Sequence, residues 1–233
     1  MRSTIIIAVL LLGCAPANAG TRLFAFYGLG GQRSSVGIDQ IVEQARNNIP
    51  GITHVAVYNQ SEWRRAGRDI EAVPAEDKVV VIGYSCGMNK ATVVAHDSTR
   101  HIDTIAGMQM SKHCGGFDLG ANVGYGQVTY GGCVSGLGCK QLAPAADFAG
   151  RILNIYRPQT HGAADTDPDY QADVLRAIKW TAGGEPPNFE RADRLHYGHG
   201  GALVRRGAAK VKTGAAMVRK GVQEIILQHG EQL

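Results

Sequence analysis

Ser85 stands between two glycines in the pentapeptide Gly83-Tyr84-Ser85-Cys86-Gly87. The apolar run Val79–Ile82 precedes it, and from Met88 to His96 small and apolar residues recur at helical spacing. Gly-x-Ser-x-Gly at a strand-to-helix junction is the pattern of a nucleophile elbow. The serine sits in a strained turn, so its hydroxyl projects from the sheet edge. The glycines remove Cβ atoms that would collide where strand and helix come close. The helix that follows aims its first amides at the same point and favours negative charge there. A serine hydroxyl is a weak nucleophile until a base takes its proton, and the base needs an orienting group.

A second glycine cluster, Phe26-Tyr27-Gly28-Leu29-Gly30-Gly31, closes the first apolar run of the chain beyond its N-terminal segment. It lacks the Gly-Lys-Ser/Thr of a phosphate-binding loop, and Arg33 occupies the last glycine place of a dinucleotide fingerprint. No cofactor is expected. Together the two motifs resemble the α/β-hydrolase superfamily, in particular its small lipase, esterase and cutinase-like members. Residues 26–31 look like that superfamily's His-Gly-x-Gly-Gly segment, with Tyr27 where histidine is common. The resemblance implies a serine hydrolase acting through a Ser-His-Asp triad and an acyl-enzyme. It implies an oxyanion hole made of the backbone amides of Cys86 and of Leu29 or Gly30. In this superfamily the acid and then the histidine follow the serine along the chain.

That order selects two segments. His161-Gly-Ala-Ala-Asp165-Thr-Asp167-Pro-Asp169 supplies the acid. Asp167 precedes Pro168 and reads as a helix cap, which leaves Asp165 as the triad acid with Asp167 as its alternate. Leu195-His196-Tyr197-Gly198-His199-Gly200-Gly201 supplies the base, His199 with His196 as alternate. The acidic run is no calcium loop: Tyr170 replaces the required glycine and Arg176 the required glutamate, so no metal is expected.

The elements that must position these residues alternate. Strands are expected at Arg22–Tyr27, Thr53–Tyr58, Lys78–Gly83, His101–Gly107 and Arg151–Tyr156, with a weak sixth at Asn188–Ala192. Helices are expected at Val36–Asn47, at Ser61–Ala72 with Ser61 as cap, at Met88–His96, from Asp167 to Trp180, and from Ala202 to Gln228. The alternation predicts a three-layer α/β/α sandwich around a mostly parallel sheet of five to six strands. Ser111–Ala143, rich in glycine and carrying three cysteines, shows no periodicity. It is read as an insertion over the C-terminal edge of the sheet, where ligands bind in such folds.

With 233 residues, 44% of them hydrophobic, the chain suits one domain over residues 20–233. Residues 1–19 read as an export signal: Arg2, the apolar run Ile5–Leu12, then Ala17-Asn18-Ala19 before Gly20. Leu11-Leu12-Gly13-Cys14 alternatively reads as a lipobox, ending the signal before a lipid-anchored Cys14. Export implies an oxidising compartment. One disulfide is expected among Cys114, Cys133 and Cys139, with Cys86 free. A net charge of +4 is too small to argue for nucleic acid. Arg205, Arg206, Lys210, Lys212, Arg219 and Lys220 form a basic tail suited to an anionic membrane or envelope surface. The substrate is expected to be a small-molecule or lipid ester. The rival reading is a non-catalytic, hydrolase-like envelope or binding protein.

Overall fold

The computed structural model describes residues 19–132 and 140–184. Six strands, β1 (Thr21–Phe26), β2 (Ile52–Tyr58), β3 (Lys78–Tyr84), β4 (Ile102–Met108), β5 (Val123–Tyr130) and β6 (Arg151–Tyr156), form one sheet in the order β2-β1-β3-β4-β5-β6. Every neighbouring pair is parallel. The helices are α1 (Val36–Asn48), α2 (Trp63–Glu71), α3 (Cys86–Asp97), the single turn α4 (His161–Ala164) and α5 (Pro168–Thr181).

The two-residue period of the strands divides the core. Leu23, Ala25, Val80, Ile82, Ala106 and Met108 face α1 and α5, meeting Ile38, Ile41, Val174 and Ile178. Phe24, Phe26, Val79, Val81 and Ile105 face the other side, against Ile70 of α2 and Met88, Ala91 and Val94 of α3. Covered on both faces, β3 needs no polar alternation, which explains its unbroken Val79–Ile82 run. Each such side chain contributes about 1.5–3 kcal/mol by leaving water.

The chain steps outward from β1 to β2, then returns past β1 to β3. The order therefore reverses between β1 and β3, the place where ligands bind in open parallel sheets. Both glycine motifs sit at the C-terminal ends of these two strands.

Three expectations are corrected. The glycine-rich segment contains a full strand, β5, so Arg151–Tyr156 is the sixth strand and not the fifth. Gly124, Gly126 and Gln127 mask its pattern. A Cβ at Gly126 would stand 2.3 Å from the Leu119 side chain, and buried Gln127 is bonded to the Tyr125 hydroxyl and the Asp173 carbonyl. The helix cap expected at Ser61 is Asn59, which forms a capping box with Glu62 on a short 3-10 turn ahead of α2. The disulfide joins Cys86 to Cys114, so Cys86 is not free. Cys133 and Cys139, the weak strand at Asn188–Ala192 and the helix from Ala202 lie outside the described residues.

Candidate active site

The turn at Ser85 is built by steric necessity. Ser85 has φ 54° and ψ −126°, one of two non-glycine residues with positive φ among those described. Its amide donates to the Met108 carbonyl at 3.0 Å, which ties the turn to the end of β4. A Cβ at Gly83 would stand 2.5 Å from the Met88 nitrogen of α3, and one at Gly87 2.4 Å from the Phe26 carbonyl oxygen of β1. The first glycine lets the helix fold back on its strand; the second lets the helix lie against the neighbouring strand.

The Gly28 loop packs directly on the serine: a Cβ at Gly28 would be 3.1 Å from that of Ser85. The loop is fixed by the Gly28 amide donating to Ser35 Oγ at 2.9 Å and by the Tyr27 hydroxyl donating to Asp39 on α1 at 2.5 Å. Cys86 opens α3, so its amide has no acceptor inside the helix. The amides of Leu29 and Gly30 are bonded to no other described residue. Amides with no acceptor among the described residues thus lie on the residue after Ser85 and on the loop whose Gly28 packs against it.

The imidazole beside the serine belongs to His161, the first residue of α4, with Nε2 2.8 Å from Ser85 Oγ. Its ring lies over that of Tyr84, with centroids 5.2 Å apart and planes inclined by 23°. Burial holds its pKa below the ordinary 6.5, so the ring is neutral at pH 7 and able to accept a proton. Its Nδ1 is buried with no bonded partner among the described residues.

Asp165 is 4% exposed and ends the same turn. One carboxylate oxygen accepts the Gly37 amide at 2.8 Å, while the other is buried without a partner among the described residues. Burial raises its pKa, opposed by the Gly37 amide and reinforced by the Asp39 charge. No bond joins Asp165 to His161. Asp167 caps α5, accepting the amides of Asp169 and Tyr170 at 2.9 and 3.2 Å, with Pro168 in the first turn. His196 and His199, and the basic tail at Arg205, Arg206, Lys210, Lys212, Arg219 and Lys220, lie outside the described residues.

His161 went unselected at the level of sequence, yet a signal for it exists. The superfamily order places a histidine after the last strand. Once β5 is counted, β6 is the last strand of the described sheet, and His161 follows its end by five residues.

The disulfide stitches the residue after the serine to the β4–β5 connection. Around it, Asn89 of α3 exchanges bonds with Ser111, accepting its amide at 3.0 Å and donating to its carbonyl at 2.8 Å, and Asn89 also donates to the Gly115 carbonyl. The first part of the glycine-rich segment therefore borders the elbow. No group of three or more metal-ligating side chains is clustered among the described residues.

An all-parallel sheet reversing between β1 and β3, helices on both faces and a strained serine between β3 and α3 define the α/β-hydrolase fold. No family model matches the sequence, and no curated protein is significantly similar to it. Among solved structures, a protein of Xanthomonas campestris pv. campestris assigned to the alpha/beta hydrolase superfamily matches at 16% identity, covering 69% of this chain and 96% of its own, with TM-score 0.47. RedJ matches at 15% identity, 72% and 95% coverage and TM-score 0.40. Human thioesterase 2 matches at 10% identity, 70% and 98% coverage and TM-score 0.42. At these scores the likenesses carry no argument about substrate.

Proposed function

We propose that this protein is an exported serine hydrolase of carboxylic esters, with Ser85 as nucleophile and His161 as its base. The observation that carries the reading is the 2.8 Å contact between Ser85 Oγ and the neutral His161 Nε2 at a strained elbow. Ser85 Oγ attacks the acyl carbon as its proton passes to Nε2. The amides of Cys86 and Leu29, with Gly30 adjacent, hold the oxyanion; each such donor is typically worth about 2.7–4 kcal/mol to the transition state. The imidazolium returns its proton to the departing alkoxide, leaving the acyl group on Ser85. Water, deprotonated by His161, then releases the acid and restores the serine.

An acyl chain is favoured by the surface beside the hole. Leu29 is 70% and Val36 46% exposed, two of the three large apolar side chains exposed among the described residues. Export is supported by the Cys86–Cys114 bridge, since disulfides persist in oxidising compartments. No helix among the described residues is long and apolar enough to cross a membrane. The basic tail is proposed to contact an anionic surface, a binding that salt should weaken.

The rival, a non-catalytic binding protein of the same fold, is favoured by one observation: among the described residues no carboxylate partners Nδ1 of His161. A fluorophosphonate probe decides between them. Labelling of wild type at Ser85, its loss in Ser85→Ala, and turnover of p-nitrophenyl esters that disappears in both Ser85→Ala and His161→Gln are the expected results. A wild-type protein inert to probe and esters would remove the enzymatic reading.

A further inference from the structure

A base must keep one nitrogen aimed at the nucleophile, and His161 has to do so from a poor platform. Its helix, α4, is four residues long; a single turn has no stability of its own. Its Nδ1, where an orienting carboxylate would bind, is buried without a partner among the described residues. Something else fixes the ring.

Two contacts reach His161 from one residue. The Tyr84 ring lies flat against the imidazole at 5.2 Å, and the Tyr84 hydroxyl donates to the His161 carbonyl at 2.5 Å. The first restricts rotation of the imidazole about its side-chain bonds; the second pins the backbone from which those bonds start. The far end of α4 is pinned separately by the Asp165 bond to Gly37 on α1. Tyr84 is buried, and burial together with the Asp165 charge pushes its phenol up to about 12, so the hydroxyl remains a donor throughout the working range. Tyr84 is also the last residue of β3, bonded covalently to Ser85. Any shift of the elbow therefore carries nucleophile and imidazole support together.

Building on the assignment of His161 as the base, we infer that Tyr84 is its positioning residue, holding the imidazole on Ser85 by ring stacking and by the hydroxyl-to-carbonyl bond in place of a carboxylate. Tyr84, at the end of β3, and Ser85 after it are the side chains with a described contact to the imidazole.

The test compares Tyr84→Phe and Tyr84→Leu with wild type, with kcat counted per site titrated by fluorophosphonate. Tyr84→Phe keeps the stack and loses one neutral hydrogen bond worth about 1 kcal/mol, so its kcat should fall about fivefold. Tyr84→Leu loses both contacts and should fall on the order of 100-fold, the usual consequence of a misplaced catalytic group. KM should stay within about twofold of wild type in both, because the substrate touches neither contact. The Cε1 proton of His161, assigned through His161→Gln, should keep its ring-current shift in Tyr84→Phe and lose it in Tyr84→Leu. Unchanged kcat in Tyr84→Leu, or a rise in KM alone, overturns the inference. If Tyr84→Leu does not fold, Tyr84→Phe decides: a kcat equal to wild type, or a displaced Cε1 resonance, overturns it. Full turnover in His161→Gln would sink the base assignment as well, whereas turnover that requires His161 but ignores Tyr84 would sink this inference alone.

Discussion

At φ 54° Ser85 occupies backbone space that side chains seldom adopt, at a cost of about 1–3 kcal/mol that the surroundings must offset. Its amide bond to Met108 and the packing of Gly28 hold it there. Asp165, also buried at the site, bonds the Gly37 amide and has no described bond to the imidazole, so we predict that it acts through structure. Asparagine keeps an acceptor for Gly37, so Asp165→Asn should retain kcat/KM within about tenfold, whereas loss of a true triad acid costs about 10⁴-fold. The sign for stability follows from its raised pKa. The neutral form is the favoured one, so its contribution is present below the ordinary 3.8 and is lost as pH rises through the folded value. At pH 7 the amide should therefore melt no lower than wild type. Its pH–rate profile should also match wild type, with an acid limb below pH 6.5, because burial and not a carboxylate sets the His161 pKa. A wild-type limb centred well above pH 6.5 would argue for a carboxylate partner.

Among the elements, α3 does the most to assemble the site. It presents the Cys86 amide, carries Asn89 against the β4–β5 connection, and lies so close to β1 that Gly87 has no room for a side chain. A Cβ there would meet two backbone carbonyls, those of Phe26 and Tyr27, at 2.4 and 2.5 Å. Backbone cannot swing aside as a flexible side chain can. Gly87→Ala should cost about 1–3 kcal/mol of stability, seen as a lowered melting temperature. It should also slow fluorophosphonate labelling about tenfold or more, because α3 and the Gly28 loop move apart and the two halves of the proposed oxyanion hole separate. An alanine variant that melts and labels like wild type would show that α3 has slack.

At the scale of the whole sheet, the edge opposite Ser85 is clamped. Asp77 closes the N-terminal ends of β1 and β3: its carboxylate accepts the Gly20 amide at 2.7 Å and Arg22 Nε at 2.6 Å, while its carbonyl accepts from Arg100. The Gly20 amide, then Arg22, holds its pKa below the ordinary value. A carboxylate lowered on folding stabilises the protein above its unfolded pKa and loses that contribution as pH falls through the folded one. Chemical denaturation of wild type and Asp77→Asn should thus show a stability gap that is full above about pH 4 and closes under stronger acid. A gap independent of pH would mean that the charge contributes nothing.

The local chemistry of this protein was legible in its residues: the elbow at Ser85, the glycine loop ahead of it, the Asp167 cap and five of six strands. Turn residues and apolar periodicity act over a few positions, so a linear reading captures them. What failed was long-range. β5 hid because Gly124 and Gly126 gave up side chains and Gln127 found an acceptor, the Asp173 carbonyl, 46 residues away, so no alternation marked it. With β5 uncounted, the end of β6 did not read as the end of the sheet, so His161 was not selected, and the expected bases His196 and His199 lie outside the described residues. The pairing of Cys86 with Cys114 and the seating of the His161 ring on Tyr84 were likewise decided by tertiary structure. Both depend on which strand ends the sheet brings side by side, a fact that no neighbouring residue encodes.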